Sequence, residues 1–333
     1  MMNNKKCYPK ENRNCWSYMP PGSRIDKYVV HSHIHTKPVF FAREKGTGKE
    51  VVLKRAEPIY KTHLSEDPHR LGRIFIQYEA GLQRRAQHPN VCPLEGLVEN
   101  KGRHYLVIPD VGPKNLFHHI ISSNPPAHER LMILEDIANA LVHCHEKNVC
   151  HLDVKERNVI VKDKRGILID FGGAREYGMR HDIVDEFVVS TENCGAPEYL
   201  DHSAFTPRSD TFSFAYMAFW ALTEKQPYKL YDPKDEPRYS VPLFHPQSLA
   251  AYDGFGELVV QGLNKNSGKR PDIKELADAA KEHTSRYRRQ HDELTSALCP
   301  ASAQQAQSQK TTTTQHTKAS CAAGRQPQPA PLS

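Results

Sequence analysis

The chain has 333 residues, of which 38% are hydrophobic, 25% charged and 8% aromatic, enough apolar side chain for one large core or two modest lobes. That composition excludes a mostly disordered chain and a disulfide-stapled miniprotein. The formal net charge is +6, but residues 1–27 carry six Lys/Arg against two acids and residues 300–333 carry three basic residues and no acid, which leaves the body near −1. The positive charge therefore belongs to solvated ends, and no basic–aromatic stripe in the body speaks for nucleic acid.

The longest nearly apolar run, Phe212 to Leu222, is about half the length a bilayer requires and contains Ser213 and Tyr216, so no membrane span is read. Met1 to Cys7 starts basic with no apolar stretch behind it and no small-residue cleavage site, against a secretory signal. Cysteines at 7, 15, 92, 144, 150, 194, 299 and 321 form no C-x-x-C pair and no zinc-finger spacing. Reduced thiols in a cytoplasmic compartment are the expectation.

In chain order, residues 1–25 read as a flexible N-terminal segment, with Trp16 and Tyr18 able to dock on the body. Val29-Val30, Val39 to Ala42 and Val51 to Leu53 read as short strands, with Gly46-Thr47-Gly48 as a hairpin turn. Residues 70–87 carry a helical pattern, and His104 to Ile108 is a further apolar strand. Glu129 to Lys147 places Leu131, Leu134, Ile137, Ala138 and Leu141 at helical spacing, and helices dominate from there. Residues 286–333 form a C-terminal extension, expected to be disordered from about 300, where Leu332 is the last large aliphatic residue left to offset ordering entropy. A strand-rich piece followed by a mostly helical one argues for an α+β protein of two lobes with a cleft between them.

His151-Leu152-Asp153-Val154-Lys155-Glu156-Arg157-Asn158 follows the long helix, Val159-Ile160-Val161 reads as a strand, Lys164-Arg165-Gly166 as a turn, and Ile167-Leu168-Ile169 leads into Asp170-Phe171-Gly172. Two acids and an amide thus converge at the open end of a hairpin. Phosphoryl transfer needs such a grouping, because charge on the transferred phosphate must be neutralised and the acceptor hydroxyl held in line.

At these residues the sequence resembles the eukaryotic-type protein kinase family, over roughly 26–285. The resemblance implies a small antiparallel β-sheet lobe with one helix, at about 26–108, and a larger, mostly helical lobe at about 112–285. It implies that Lys54 holds the nucleotide phosphates and Glu79 pairs with it, since an ammonium on a flexible stem needs a partner to stay aimed. Asp153 becomes the base for the substrate hydroxyl, Lys155 steadies the γ-phosphate, and Asn158 and Asp170 hold metal. Val39, Val52, Ile108, Pro109, Val111 and Ile160 fall among the nucleotide-binding positions. ATP and Mg²⁺, with Mn²⁺ as the alternative ion, are the implied cofactors. Ala196-Pro197-Glu198 resembles the end of an activation segment, Asp210 the acid of a central helix, and Arg270 the partner of Glu198 beneath a peptide platform. That platform favours a protein substrate over a small molecule, and Lys155 with Thr191 favours serine/threonine over tyrosine.

The sequence departs from the family's pattern in several places. Counting back from Val39, Ser32, Ile34 and Lys37 stand where the phosphate-covering hairpin carries glycines, which predicts a stiffer or lifted lid. Lys37 can instead reach the phosphates itself. His31, His33 and His35 alternate and would share one strand face, as a solvated edge or, less simply, a metal site. Leu152 replaces the arginine that docks a phosphorylated loop in many relatives, so control by such a phosphate is not expected. Proline at 109 removes one hinge donor and leaves the Val111 amide to serve the adenine ring. Val52 and Gln83 replace a small and an apolar residue, which speaks for weaker ATP binding and a looser active state. Cys194 reads as a structural thiol before a redox sensor.

The leading expectation is an ATP-dependent protein serine/threonine kinase. A pseudokinase acting as an interaction scaffold, and behind it a small-molecule kinase, are the alternatives. The stripped hairpin also resembles divergent kinases of viruses and host-directed bacterial effectors, which adds delivery into a host cell to the cytoplasmic reading. Because kinases that prefer basic substrates commonly carry glutamate where Arg157 stands, neutral or acidic residues are expected around the phosphosite. A peptide array should show that preference, and strong selection for arginine before the acceptor would overturn it.

Overall fold

Alternation of side chains along each strand decides which residues of the N-terminal sheet meet the rest of the molecule. The computed structural model describes residues 19–34, 37–59, 67–179, 194–202, 204–228, 239, 242–243 and 245–298. Strands β1 (Arg24–Ile25), β2 (Tyr28–His33), β3 (Val39–Glu44) and β4 (Glu50–Arg55) lead to helix α1 (Pro68–Arg85), then β5 (Gly96–Asn100) and β6 (Arg103–Pro109). They form one antiparallel sheet in the order β1-β2-β3-β4-β6-β5. One face buries Val30, Phe40, Ala42, Val51, Leu53, Tyr105 and Val107. Residues one step out of phase fall on the other face, where the register sets Val39 beside Lys54, Lys54 beside Leu106 and Val52 beside Ile108.

Helix α1 covers part of that second face through Ile76 and Ala80 against Leu106. Asp67 caps it by accepting from the His69 N–H at 2.9 Å, Pro68 opens it, and Arg84 and Arg85 suit its negative end. The helix therefore begins two residues before the expected 70. β5 lay outside the expected elements: its sequence, Gly-Leu-Val-Glu-Asn, lacks the apolar run of β6, and pairing with β6 supplies what local pattern does not.

The larger lobe is α2 (Leu116–Ser123), α3 (Ala127–Glu146), β7 (Val149–Cys150), β8 (Val159–Lys162), β9 (Arg165–Leu168), β10 (Arg175–Glu176), α4 (Pro197–His202), α5 (Pro207–Thr223), α6 (Asp253–Gly262) and the start of α7 (Ile273–Leu298). The chain divides at His283 into two compact units, the second of which begins at Thr284 within α7. Helix α3 buries Leu131, Leu134, Ile137, Ala138 and Leu141, as its spacing predicts. Helix α5 is buried on every side from Ser209 to Ala221, its polar Ser209, Asp210, Thr211 and Ser213 included, which marks the centre of a lobe. A capping box of Thr206 and Ser209 with Pro207 sets its start. No described helix is long and apolar enough to cross a membrane. Helix α6 approaches α5 so closely that a Cβ on Gly262 would stand 2.7 Å from that of Ala215.

The β8–β9 turn corrects one expectation. Asp163 and Lys164, with φ of 50° and 62°, make a two-residue turn, and Arg165 and Gly166 belong to β9. Asp136 of α3 draws them there, accepting from Arg165 Nε at 2.8 Å and from the Gly166 N–H at 2.9 Å. Gly166 serves close approach rather than turning, since a Cβ there would meet Ile133 at 3.1 Å. A bulge between Val30 and Ser32 interrupts the histidine alternation in β2. His31 bonds Glu50 on the surface at 3.0 Å, whereas the His33 ring lies against Phe40. Trp16, Tyr18, His35, Thr191 and residues 299–333 lie outside the described residues.

Beneath α4, the buried Arg270 guanidinium donates to both Glu198 oxygens at 2.7 and 2.8 Å, and to the carbonyls of Asn264, Arg208 and Lys265. Burial works against the Glu198 charge, but the hydrogen bonds and charge of Arg270 outweigh it and hold the carboxyl below its ordinary value. Glu198→Ala leaves a buried arginine without its counter-charge and is expected to cost about 3 kcal/mol, read by urea unfolding. A depressed carboxyl stabilises above its unfolded pKa and loses that effect as pH falls through the folded value. The gap between wild type and variant should hold from pH 7 to about 5 and narrow below that. A gap under about 1 kcal/mol at pH 7 would show that the pair contributes little.

Candidate active site

Lys54 points from β4 towards α1 and the loop after β9. Its Nζ donates to Glu79 Oε1 and to Asp170 Oδ1, each at 2.7 Å. Three segments far apart in sequence therefore meet on one ammonium. Burial opposes the charge on Lys54, but the attraction of Asp170 and Glu79 outweighs it and raises the pKa. The two carboxyls respond in opposite senses. Lys54 holds Asp170 well below the usual carboxylate range, while burial, helped by the Asp170 charge, pushes Glu79 up. Asp170 carries the fixed negative charge of the trio and Glu79 the steering contact. Gly172 packs closely here, since a Cβ would stand 3.0 Å from Lys54 Nζ and 3.2 Å from Asp170 Oδ1. Asp170 itself has φ of 67°, a strained conformation held by these bonds.

The second cluster comes from the loop between β7 and β8. Lys155 Nζ donates to Asp153 Oδ2 at 2.7 Å, and Asn158 Nδ2 donates to the same oxygen and to the Asp153 carbonyl, both at 2.9 Å. The loop is suspended from the buried carboxylate of Asp210 on α5. Its two oxygens accept from the N–H groups of His151 at 2.8 Å and Leu152 at 2.7 Å, and His145 Nε2 reaches one of them at 2.8 Å. Those bonds fix Leu152 at φ of 59°, an unusual conformation for leucine. His151 donates through Nε2 to the Ile169 carbonyl at 3.1 Å, which leaves Nδ1 to accept from the Asp153 N–H. The Ile169 N–H in turn donates to the Asn158 carbonyl at 2.9 Å, tying the approach to Asp170 to the second cluster.

Of the residues expected around a nucleotide, Val52 pairs with Ile108, Val39 with Lys54 and Pro109 with Val51. Val39, Val52, Ile108, Pro109, Val111 and Ile160 are all half-buried. The segment joining the lobes turns at Gly112, where φ is 127° and the N–H donates to Asp110 Oδ1 at 2.9 Å. Asn115 pairs with Ile160, and the Val161 N–H donates to the Lys114 carbonyl at 2.9 Å, which brings β8 against this segment. The Val111 N–H makes no hydrogen bond among the described residues, as a position that serves a ligand acceptor requires.

The donor set also fits a divalent metal. Asn158 spends its side-chain nitrogen on Asp153, and Asp170 spends one oxygen on Lys54. An amide oxygen and a second carboxylate oxygen remain, hard donors of the kind Mg²⁺ takes. Gln83 does not loosen α1 as expected: it is buried and donates to the Cys92 carbonyl at 2.8 Å, which offsets the burial of its amide. Cys194 is buried, and burial pushes the Cys92 thiol up to about 12, which suits structural thiols.

Two supporting contacts escaped the sequence reading. Tyr78 Oη accepts from the Glu176 N–H at 3.0 Å, and Arg85 donates to the Glu176 carboxylate at 2.6 Å, so α1 is tied to the segment after Asp170. Tyr78 and Arg85 lie two helical turns apart, but their shared partner is about ninety residues on, where no local pattern reaches. His145 on Asp210 is hidden likewise.

Comparison with known proteins agrees with this geometry. The chain is 25% identical over 268 residues to the SNF-related serine/threonine-protein kinase of Rattus norvegicus, covering 76% of this chain and 33% of that protein. It is 28% identical over 218 residues to the hormonally up-regulated neu tumor-associated kinase homolog of Xenopus tropicalis, covering 62% of this chain and 30% of that protein. Its alignments span from 19% to 37% of the length of such curated relatives. Residues 36–283 match the family described as protein kinase domain, and the chain that folds its lysine, two acids and asparagine together in this way belongs to the protein kinase family.

Proposed function

We propose that the protein is an active, ATP-dependent serine/threonine kinase acting on other proteins. The observation that carries this reading is the Lys54 ammonium held at 2.7 Å by both Glu79 and Asp170, because such a cluster aims a cation where a phosphoryl group to be transferred needs its charge neutralised. ATP with Mg²⁺ supplies the transferable γ-phosphoryl group and the cation that neutralises phosphate charge. Lys54, kept aimed by Glu79, holds phosphate oxygens. Asn158 and Asp170 offer the oxygen donors for the metal, and Val39, Val52, Ile108, Pro109, Val111 and Ile160 surround the base.

On the acceptor side, Asp153 takes the proton of the substrate hydroxyl. Lys155 and Asn158 hold its Oδ2 at 2.7 and 2.9 Å, which fixes the carboxylate's orientation. In this reading Lys155 also stabilises charge on the transferred group, and its presence two residues after Asp153 supports serine/threonine acceptors. The scaffold reading rests on the glycine-free hairpin before Val39 together with Val52 and Gln83.

Transfer of labelled γ-phosphate from Mg·ATP to the protein itself and to a mixed Ser/Thr/Tyr substrate pool tests the proposal. Label is expected on serine or threonine with the wild type, and Asp153→Asn should lower the rate by about 10²- to 10⁴-fold. Absence of label with the wild type, together with absence of nucleotide binding, would falsify the catalytic reading and favour the scaffold.

A further inference from the structure

Tyr78 and Arg85 are seven residues apart on α1, so their side chains leave one face of the helix about 10 Å apart along its axis. Both reach the same residue. The Glu176 N–H donates to Tyr78 Oη at 3.0 Å, and Arg85 Nη1 donates to Glu176 Oε1 at 2.6 Å. A helix held at one point can still roll about its axis, whereas two attachments on one face fix the roll. Glu79 directly follows Tyr78, and its reach to Lys54 depends on that roll.

On its other side Glu176 is anchored in the larger lobe. Strand β10 pairs with β7 through Glu176 and Val149 and through Arg175 and Cys150, and the Tyr177 N–H donates to the Asn148 carbonyl at 2.8 Å. β7 runs directly into the loop of Asp153, whose His151 and Leu152 N–H groups Asp210 holds. Gln83 makes a tie of the same kind: the Cys92 carbonyl accepts its amide, and the Cys92 N–H donates to the Leu168 carbonyl of β9 at 2.9 Å. None of these contacts involves Lys54 or Asp170. The placement of α1 is therefore set from the frame that carries Asp153, by groups of the unmodified chain.

We infer that Glu176 is a positioning residue of the catalytic centre: with Tyr78 and Arg85 it sets the roll of α1 and so keeps Glu79 on Lys54. The inference rests on the proposed kinase activity and deepens it, since it names what assembles the lysine–glutamate pair. The Arg85 side chain is 40% exposed and that of Glu176 15%, so solvent screens the ion pair in part and its effect is moderate.

The test uses the full chain as wild type, Arg85→Ala, Arg85→Lys, Glu176→Gln, the double variant Arg85→Ala/Glu176→Gln, and Arg84→Ala, an exposed neighbour in the same turn. Two quantities are read. One is kcat and KM in γ-phosphate transfer to the protein substrate pool, and the other is hydrogen exchange of the α1 amides without nucleotide, which requires no activity. Arg85→Ala and Glu176→Gln are each expected to lower kcat about fivefold with KM for the protein substrate unchanged, and to speed exchange around Glu79. Both remove the same interaction, so the double variant should be no worse than either single one. Arg85→Lys should recover most of the loss, and Arg84→Ala should match the wild type. Wild-type kcat and exchange in both single variants, losses that add in the double variant, or an equal loss in Arg84→Ala would overturn the role of Glu176 and leave the kinase reading intact. A wild type that transfers no phosphate would overturn the kinase reading, and exchange would then decide alone. Faster exchange around Glu79 in both single variants but not in Arg84→Ala would support the hold of Glu176 on α1, and unchanged exchange would overturn it.

Discussion

One half-buried ammonium organises this molecule. Lys54 stands between Glu79 of α1 and Asp170 of the loop after β9. Desolvation penalises each charge, and only their mutual proximity offsets that penalty. The arrangement is asymmetric: Asp170 is held ionised by Lys54, while Glu79 is driven towards its neutral form by burial and by Asp170. Lys54 meets the loop and the helix at the same 2.7 Å. The contact to Glu79 reports where α1 sits, and Tyr78 and Arg85 reinforce that placement by gripping Glu176.

A second constraint lies deeper. Helix α5, buried on all sides, delivers Asp210 to the underside of the loop carrying Asp153, Lys155 and Asn158. Two amides and a histidine satisfy its carboxylate, and the amides hold Leu152 in a conformation that leucine rarely adopts. That strain is sustained because a rigid core surrounds it. The same lobe stabilises α4 through Arg270 and Glu198. Asp210 and Arg270, buried in the larger lobe, thus serve to hold surface chemistry in place through several hydrogen bonds each.

The departures from the family's pattern separate once the side chains are in place. Gln83 proves compatible with a packed interior, because the Cys92 carbonyl takes its amide. Leu152 is simply buried where a charged residue stands in many relatives. The hairpin before Val39 is different in kind: it carries no glycine, and the Ile34 and Lys37 N–H groups donate to the Val39 and Ile34 carbonyls.

Much of this was legible in sequence. The short apolar runs 39–42 and 51–53 and the helical spacing from Leu131 to Leu141 point to strands and a helix, since local pattern mirrors what is buried. The ordered motifs around Lys54, Glu79, Asp153, Asn158 and Asp170 specify the family, since their order and spacing are properties of the chain alone. Local pattern did not contain β5, which becomes a strand only by pairing with β6, nor the true turn at Asp163 and Lys164, which Asp136 decides from α3. Nor did it contain the joint hold of Lys54 on two acids or the grip of Tyr78 and Arg85 on Glu176. These depend on hydrogen bonds between residues up to 116 positions apart, and only the closed tertiary structure, by excluding water and bringing those groups within bonding distance, determines which of them meet.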